Sequence, residues 1–591
     1  MPIDDQAAVS RRSFLRAAAS GVVILPGLIA ACTPAAPATS TVAPAEAKPT
    51  TAAASAAVAG AAVTTAKPSS VLPTYIPLQG GPKPDYASAG EQYEDGWDNY
   101  PSPAVKAWTK EAPASGGTIT ALSNAYNPPG TPLEQNSAWQ AVNKALNASV
   151  VFNIVAPADY PAKMATTMAG DDLPDFMLFP GGLNVTLAQS GTANLPQFLQ
   201  NKCADLTPHL SGDAIKDYPF LAAIPTFAWQ NSGSAFNGHL YMLPLQRYVA
   251  GRTFFKNTSV YDAEIGKDYV PKNRDDLKRV FMQLNKPQED RYATASFQNQ
   301  AFHIDTYAAM HGAPNNWKLE AGKLTKNFET PEFKEAIGFV RDLFVAGVFH
   351  PKTLNYADIN AARLDFVAGK FTLYPEGFGQ PWQDFWRRGL RNSPPYNFLP
   401  LPPFPAFDGG KPRHFLGAGF IATNALKKAS PERIKELLRV LDFLASPFGT
   451  QEDLLLQYGL PDVHYTLDAN GKLALNDKSN VDANYINWKY LMQHPQVMYV
   501  PDVPGYGKAE YEAEHFLIPA GVADPTLGLY SPSLGAKGFQ LNRNMTDGVT
   551  DIIAGRKQIA EYDQMVKDWQ SNGGDQIRTE LLDSLAASGR A

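Results

Sequence analysis

The sequence predicts an α/β protein whose globular body divides into more than one lobe. Two observations lead to this class. From residue 116 onward, predicted strands and helices alternate, which is the order that builds a parallel sheet with helices on its faces. The globular part is about 500 residues long, more than a single hydrophobic core usually spans.

The first 31 residues predict an export signal that is not part of the fold. Residues 10–15 (S-R-R-S-F-L) resemble the twin-arginine signal, and the apolar run 17–31 is too short and too interrupted, by Pro26, for a comfortable membrane span. Cys32 follows I-A-A, as in the lipobox of bacterial lipoproteins. We therefore expect a mature chain that starts at Cys32, carries lipid (palmitate) there and works outside the cytoplasm, anchored to the cell membrane.

Residues 32–72 predict a disordered tether. They are nearly all Ala, Thr, Pro, Ser and Val, with Glu46, Lys48 and Lys67 as the only charges. Such a composition cannot bury enough apolar surface to offset the entropy lost on ordering. As a random coil, a segment of this length reaches about 35 Å, which would hold the body clear of a membrane.

Charge and cysteine content exclude some classes of protein. A net charge of −6 gives no basic field for nucleic acid. Besides Cys32 the chain has only Cys203, which predicts a fold without disulfides and a buried apolar role for Cys203.

The first elements of the body follow a βαβαβ order. Residues 118–122, 150–155 and 176–179 are apolar runs typical of buried strands. Between them, Trp139, Val142 and Leu146 recur at helical spacing, and a second helix is expected over 159–168. In a parallel sheet, ligands bind beyond the carboxyl ends of the strands, here residues 123–126 and 180–182.

Two later helices begin with matching signals. T-P-E at 330–332 and S-P-E at 430–432 each provide a cap, a first-turn proline and an acid near the positive helix end. The apolar stripes that follow predict core-facing helices. Asn470-Gly471 predicts a hairpin turn.

Four short motifs carry a family resemblance. They are 170–175 (G-D-D-L-P-D), 237–244 (N-G-H-L-Y-M-L-P), 366–374 (F-V-A-G-K-F-T-L-Y) and 458–465 (Y-G-L-P-D-V-H-Y, with Asp462 in place of a family glycine). In this order, behind a lipobox, the chain resembles the bacterial extracellular solute-binding proteins of family 1. These are lipoprotein receptors of ABC importers, and the resemblance is strongest to the larger members that bind oligosaccharides; it spans most of residues 80–585.

The resemblance implies a periplasmic-binding-protein-like fold (type II), with two α/β lobes hinged by crossing segments. Matched to the family's order, the crossings are expected near 243–248, 370–374 and 413–419. We then expect lobe one to hold 116–244 plus 372–412, and lobe two to hold 246–370 plus 414–591. Residues 73–115 are expected to form a strap on lobe one.

Sugar chemistry selects the candidate binding residues. A pyranose ring offers an apolar face to an aromatic side chain and hydroxyls to planar polar groups. Residues 374–382 are richest in both, and in maltose-binding relatives the matching stretch supplies a stacking tryptophan, so Trp382 is the first choice, with Tyr374 and Glu376 beside it. Trp386 is either a second platform or a core residue.

Further candidates flank the expected cleft. Arg247 and Tyr248 lie at the first crossing, Asn124 and Tyr126 at a strand end of lobe one, and Trp317 in lobe two. For each aromatic among them, core packing is the alternative interpretation.

Catalytic and cofactor motifs are weak. No His-Glu-x-x-His occurs. G-A-G-F-I-A at 417–422 matches a dinucleotide-binding fingerprint. The helix begins only after Ser430, however, so no helix N-terminus is expected at the glycine turn to bind a phosphate. D-A-N-G-K at 468–472 lacks the closing acid of a calcium loop. We expect no cofactor. Some oligosaccharide receptors of the family hold a structural calcium, but no residues of this sequence could be matched to the ligands of that calcium.

The sequence thus predicts a lipid-anchored, monomeric receptor that binds a carbohydrate between two lobes and delivers it to an ABC permease. The carbohydrate is expected to be an oligosaccharide. It is not expected to be an enzyme. One alternative is a receptor for a peptide or glycerol phosphate. The other is a surface-anchored carbohydrate-active enzyme, which would need a second acid opposite Glu376.

Overall fold

The structure is a computed structural model that describes residues 71–78, 81–183, 195–297, 300–356 and 359–590. The predicted export signal, Cys32 and nearly all of the predicted tether lie outside these residues. Within them, no helix is long and apolar enough to cross a membrane.

The strands, in chain order, are β1 (Thr118–Asn124), β2 (Ser149–Val155), β3 (Phe176–Pro180), β4 (Ala235–Phe236), β5 (His239–Leu240), β6 (Met242–Gln246), β7 (Thr253–Asn257), β8 (Trp317–Glu320), β9 (Lys323–Lys326), β10 (Leu373–Glu376), β11 (Phe398–Pro400), β12 (His414–Phe415), β13 (Phe420–Leu426), β14 (Tyr465–Leu467), β15 (Leu473–Leu475) and β16 (Gly521–Val522).

The α-helices are α1 (Ser137–Leu146), α2 (Tyr160–Ala169), α3 (Leu195–Lys202), α4 (Thr207–Leu210), α5 (Thr226–Asn231), α6 (Thr258–Glu264), α7 (Arg274–Leu284), α8 (Ile304–His311), α9 (Pro331–Val345), α10 (Ile359–Val367), α11 (Gln380–Gly389), α12 (Pro431–Leu444), α13 (Gln451–Tyr458), α14 (Asp477–Ser479), α15 (Trp488–Leu491), α16 (Tyr506–Leu517), α17 (Pro532–Ile553), α18 (Tyr562–Trp569) and α19 (Asp575–Ala587).

The first lobe is built on a five-stranded sheet of order β2-β1-β3-β13-β6. β1 pairs in parallel with β2 and β3, which confirms the predicted βαβαβ order. β13 enters between β3 and β6 and is antiparallel to both. The inward stripe of α12, including Leu437 and Leu441, packs in the core of this sheet.

The second lobe has a smaller, antiparallel sheet of order β10-β7-β11. Helices dominate the rest of this lobe, and the stripe of α9 (Ile337, Val340) is buried with α17 and α19. A second apolar cluster joins this sheet to α10, α11 and α16. Both lobes are therefore α/β, as predicted, but only the first has a parallel core.

The predicted lobe boundaries are partly wrong. Segment 372–412 was expected in lobe one, but β10 and β11 both pair with β7, which places the segment in the second lobe. Conversely, β13 and the helices that follow it through α15 belong to the first lobe, although 414–591 was expected to lie wholly in lobe two. Hydrophobic periodicity identifies a strand but not the sheet it joins, because that depends on partners distant in the chain.

Three segments cross between the lobes: 247–252, 416–419 and 492–505. The first and second agree with the expected crossings near 243–248 and 413–419. The expected crossing at 370–374 is wrong, because these residues enter β10 inside the second lobe. The third crossing instead leaves α15 in the first lobe and enters α16 in the second.

The first two crossings run side by side with direct backbone contacts. The Arg247 N–H donates to the Gly419 carbonyl at 2.9 Å, and the Gly417 N–H donates to the Val249 carbonyl at 2.7 Å. A Cβ at Gly251 would overlap the carbonyl oxygen of Phe415, so this approach requires glycine. Gly417 and Gly419 of the 417–422 motif thus lie in this backbone pairing, and at Gly419 the positive φ of 74° and the adjacent Phe227 ring favour glycine.

A buried amide joins the first and third crossings to the strap. Gln246 is 4% exposed and ends β6. Its Oε1 accepts from the Gln496 N–H at 2.6 Å, while its Nε2 donates to the Arg247 carbonyl at 2.9 Å and to Glu94 Oε1 at 3.1 Å. One side chain thus connects the first crossing, the third crossing and the 73–115 strap.

The strap touches both lobes, whereas it was expected only on lobe one. On the first lobe, the Tyr100 hydroxyl donates to Asp453 Oδ2 at 2.7 Å. On the second lobe, the Tyr86 ring lies 5.6 Å from that of Tyr511, and the Tyr93 ring 5.2 Å from that of His515. Both partners are on α16, beside the third crossing.

Trp382, the first choice for a stacking platform, is a core residue, so this prediction is wrong. Its side chain is 0% exposed, and its indole N–H donates to the Phe398 carbonyl at 2.6 Å. Its ring packs 5.5 Å from Phe255 and 5.3 Å from Tyr506. Trp386, one turn further on, is buried in the same cluster, which resolves its open interpretation in favour of core.

Replacing Trp382 by Ala is expected to destabilise the protein by about 3–5 kcal/mol, because a large buried ring and a buried hydrogen bond are lost. The melting temperature of the variant measures this. Phe539, an exposed aromatic on α17, is the control: Phe539→Ala should leave the melting temperature nearly unchanged. An unchanged melting temperature for Trp382→Ala would contradict the buried placement.

Three carboxyl groups are buried together where the strap meets α16. Glu94 is 5% exposed, and Glu510 and Glu514 are 0% exposed. Among the described residues, no Lys, Arg or His forms an ion pair with any of them. Burial raises the pKa of Glu94 to about 7, and burial together with the neighbouring carboxylates raises the pKa values of Glu510 and Glu514 well above the ordinary range.

These shifts predict a stability that falls with rising pH. The folded carboxyls keep protons that the unfolded chain loses near pH 4.3, so the cluster's contribution is full below that pH and is lost as pH rises through 7. Glu510→Gln should therefore stabilise the protein by about 1 kcal/mol or more at pH 8 and have little effect at pH 4.5.

Melting temperatures at the two pH values test this prediction. The matched control is Glu512→Gln on the same helix, since Glu512 is exposed and pairs with Lys508. Equal effects of Glu510→Gln at both pH values would contradict the assignment of buried, protonated carboxyls.

Candidate functional site

A cavity of about 750 Å³ lies between the two lobes. Residues of the first lobe and of the crossings form one wall, and α10 with α11 forms the other. The cavity therefore lies where the resemblance predicted a ligand cleft.

The first-lobe wall is formed where the central sheet ends. Tyr126 follows the carboxyl end of β1, as expected for a parallel sheet, and Phe420 begins β13. Lys489 and Tyr490 come from α15. The Tyr126 and Tyr490 rings are stacked, with centroids 4.2 Å apart.

The second-lobe wall is formed by one face of α11 and one face of α10. Gln380, Gln383 and Arg387 face the cavity from α11, because Trp382 and Trp386 on its opposite face are held in the core. Gly379 precedes the helix at φ +85°, and a Cβ there would press on the Tyr248 ring, so glycine permits this close turn.

The structure places three of the eight predicted binding residues on the cavity wall: Tyr126, Arg247 and Tyr248. Tyr248 is buried and donates its hydroxyl to the Val497 carbonyl at 3.1 Å, which ties the first crossing to the third. Arg247 Nη1 donates to the Gln246 carbonyl at 2.8 Å.

Three other predicted residues lie behind the wall. Asn124 is 8% exposed, and its carbonyl accepts from Asn487. Tyr374 is fully buried in the second-lobe core. Glu376, 2% exposed, accepts from Arg363 Nε at 2.7 Å. Arg363 itself lines the cavity, so Glu376 orients a wall residue instead of facing a ligand.

The remaining two, Trp382 and Trp317, do not line the cavity. Trp317 begins β8, is 4% exposed and packs against Trp569 in the second-lobe core. For both tryptophans the alternative of core packing is the one observed. The lipidation candidate Cys32 lies outside the described residues.

Sequence reasoning missed most of the wall. Eight aromatic side chains line the cavity, and six of them were not candidates. The eight are Tyr126, Tyr248, Phe378, Phe420, Phe448, Tyr458, Tyr490 and Tyr499. A sequence signal for this part of the wall does exist. Aromatic and polar residues are concentrated in two runs in and just before the third crossing, Y-I-N-W-K-Y at 485–490 and M-Y-V-P at 498–501.

Side-chain amides supply the polar part of the wall. They are Asn360, Gln380, Gln383, Gln457, Asn480, Asn484, Gln493 and Gln496. Each amide carries a donor and an acceptor in one plane, which suits the adjacent hydroxyls of a sugar ring.

The cavity is electrostatically positive. Arg247, Arg387 and Lys489 line it, and no ion pair joins any of them to a carboxylate of the described chain. Burial, together with the charges of Arg247 and Arg387, lowers the pKa of Lys489 to about 8. Burial also lowers the pKa of Arg247. Lys489 therefore interacts unfavourably with the charge of each arginine.

Acidic groups are sparse on the wall. Asp384 lines the cavity and pairs with Arg388 at 2.7 Å. Within the described ranges no group of three or more His, Cys, Asp and Glu is placed to hold a metal ion. The expectation of no cofactor stays a prediction.

Two curated proteins share detectable sequence similarity with this chain. Polygalacturonan/rhamnogalacturonan-binding protein YtcQ of Bacillus subtilis is 24% identical over 401 residues, covering 63% of this chain and 75% of its own length. Lipoprotein LipO of the same organism is 21% identical over 494 residues, covering 80% of this chain and 93% of its own length. No family model matches the chain.

Solved structures show the same architecture. An HMO-binding, ABC-transporter-associated solute-binding protein from Bifidobacterium longum infantis superposes with a TM-score of 0.61 at 13% identity, covering 81% of this chain and 100% of that chain. These likenesses agree with the resemblance that the sequence motifs indicated: the chain is similar in sequence to YtcQ and LipO and has the two-lobed fold of this solute-binding protein.

Proposed function

We propose that the protein is a lipid-anchored extracytoplasmic receptor that binds an oligosaccharide between its lobes and delivers it to the permease of an ABC importer. It does so as a monomer and without catalysis. The observation that carries this proposal is the wall of the cavity between the lobes, which combines eight aromatic rings with eight side-chain amides.

The combination suits saccharides for a physical reason. Aromatic faces bury the apolar C–H faces of pyranose rings, while amides satisfy hydroxyl donors and acceptors that would otherwise lose water. A volume of about 750 Å³ lies in the upper part of the range for ligand pockets. The names of YtcQ and of the HMO-binding protein, both saccharide binders, support the same ligand class.

Hinge closure follows from how the wall is divided. Gln383 and Arg387 face the cavity from the second lobe, and Tyr126 and Lys489 face it from the first. A ligand that contacts both walls binds the closed state more tightly than the open one and shifts the population toward closure. The closed form would then be what the permease recognises.

A hydrolase or lyase is disfavoured by the acids of the wall. Glycosidases use two opposed carboxyl groups, one on each side of the scissile bond. Here Asp384 forms an ion pair with Arg388, and Glu376 is buried and forms an ion pair with Arg363. Neither carboxylate has a partner across the cavity among the described residues.

Binding is tested by adding a panel of oligosaccharides to the full chain and following its melting temperature, which a ligand of the folded state raises. Gln380→Ala combined with Gln383→Ala should weaken binding of the best saccharide about thirtyfold, because each of the two lost hydrogen bonds is worth roughly 1 kcal/mol. Gln540→Ala, an exposed glutamine on α17, is the control. A panel without any binder, or steady release of cleaved product, would overturn the proposal.

Anchoring is tested by fractionating a bacterial host that exports the full chain. Cys32→Ser should move the protein from the membrane fraction to the soluble extracytoplasmic fraction. Cys203→Ser is the matched control: Cys203 is fully buried in the first lobe, and burial raises the pKa of its thiol to about 12. Membrane association that persists in Cys32→Ser would refute the lipid anchor.

A further inference from the structure

The three cations of the cavity are unusual because the other charged wall residues are neutralised. Arg363 pairs with Glu376 at 2.7 Å, and His494 pairs with Asp453 at 3.2 Å. Arg247, Arg387 and Lys489 have no such carboxylate within the described part of the chain. Lys489 donates only to the Asn484 side-chain oxygen, at 2.6 Å.

This arrangement is costly for the ligand-free protein. The chain as a whole carries a net charge of −6, so the cations do not belong to a generally basic surface. Arg247 and Lys489 are partly buried and lose hydration, and Arg387, which is exposed, adds a like charge; both effects destabilise the free state. Such clusters of unmatched charge are typical of functional sites, where a ligand supplies the counter-charge.

The three cations also come from different parts of the hinge. Lys489 is on α15 of the first lobe, Arg387 is on α11 of the second, and Arg247 is in the first crossing. An anionic group held among them would contact both lobes at once. Tyr490, whose ring lies 5.5 Å from Lys489 Nζ, places an aromatic surface beside the charge.

We infer that the saccharide bound here is acidic, with sugar carboxylates held by Arg247, Arg387 and Lys489. This inference rests on the proposed function and narrows its ligand to uronic-acid oligosaccharides. A guanidinium fork binds a carboxylate through two parallel hydrogen bonds, and a lysine adds a compact charge that can serve a neighbouring uronate. Sulfated sugars share the anionic chemistry, and the experiment distinguishes them.

The experiment measures calorimetric affinities of the full chain for matched probes. These are trimers of galacturonate, glucuronate and mannuronate, the same trimers with each carboxyl reduced to the alcohol, and a sulfated disaccharide. We expect at least one uronate trimer to bind about tenfold or more tightly than its reduced form, because each charge-assisted hydrogen bond is worth more than a neutral one.

Charge-removing variants locate the effect. Lys489→Met and Arg387→Gln should each weaken binding of the uronate trimer by about tenfold and change binding of its reduced form little. Arg391→Gln is the matched control, because Arg391 is an exposed arginine just beyond α11 and does not line the cavity. A variant that merely disturbs the fold would weaken both probes equally.

The pH dependence provides a second readout. Lys489 faces the cations Arg247 and Arg387 and the phenols of Tyr126 and Tyr490, whose pKa values are raised so that they stay neutral. Uronates stay ionised above pH 5, since their pKa is about 3.5. Because Lys489 loses its proton near pH 8 in the free protein, uronate affinity should be constant from pH 6 to 7 and fall above pH 8. In Lys489→Met this fall should disappear.

The outcomes separate the two proposals. Uronate preference that is lost in Lys489→Met and Arg387→Gln but kept in Arg391→Gln supports the inference. Reduced or neutral trimers that bind as tightly as uronates would overturn it and leave the saccharide receptor intact. Binding of the sulfated probe alone would overturn the carboxylate assignment. If no saccharide of either charge binds, the proposed function itself fails.

Discussion

The architecture depends on one buried amide, the side chain of Gln246. It uses both ends at once, accepting from the third crossing at Gln496 and donating to the first crossing and to the strap carboxyl of Glu94. A buried amide left with one unpaired end would lose free energy comparable to a hydrogen bond or more, so these segments are fixed relative to one another. The second crossing joins the same region through backbone bonds to residues 247 and 249.

Such a junction determines what can move. With three crossings bound side by side, rotation of the lobes is confined to the few backbone torsions on either side of it, as in other hinged proteins. The strap adds a further constraint, because it contacts Asp453 in the first lobe and α16 in the second. The cavity lies directly beside this junction, since Arg247 and Tyr248 belong to both. A small rotation at the junction therefore changes the distance between the cavity walls.

The sequence predicted local order well and long-range partners poorly. The βαβαβ half, the helices after Thr330 and Ser430, and the hairpin at Asn470 each follow from periodicity, caps and turn residues within a few positions. β10 and β13 were assigned to the wrong lobes because both are short apolar runs, and only tertiary pairing decides which sheet takes them. Tyr126, Arg247 and Tyr248 were found because strand ends and crossings fix their position. Trp382 was misplaced because the second-lobe core decides which face of α11 is buried.

In the proposed hinge motion, the charges of the cavity would favour the open state of the ligand-free protein. Arg387 on one wall and Lys489 with Arg247 on the other repel across the cavity, and this repulsion grows as the walls approach and water is excluded. Burial lowers the pKa of Lys489, and the charges of Arg247 and Arg387 lower it further. The acidic saccharide inferred above would remove the repulsion and add contacts to both walls, so its differential affinity for the closed state would exceed what the neutral rings and amides alone provide. The same cations that disfavour closure of the empty cleft would thus drive closure around an acidic sugar.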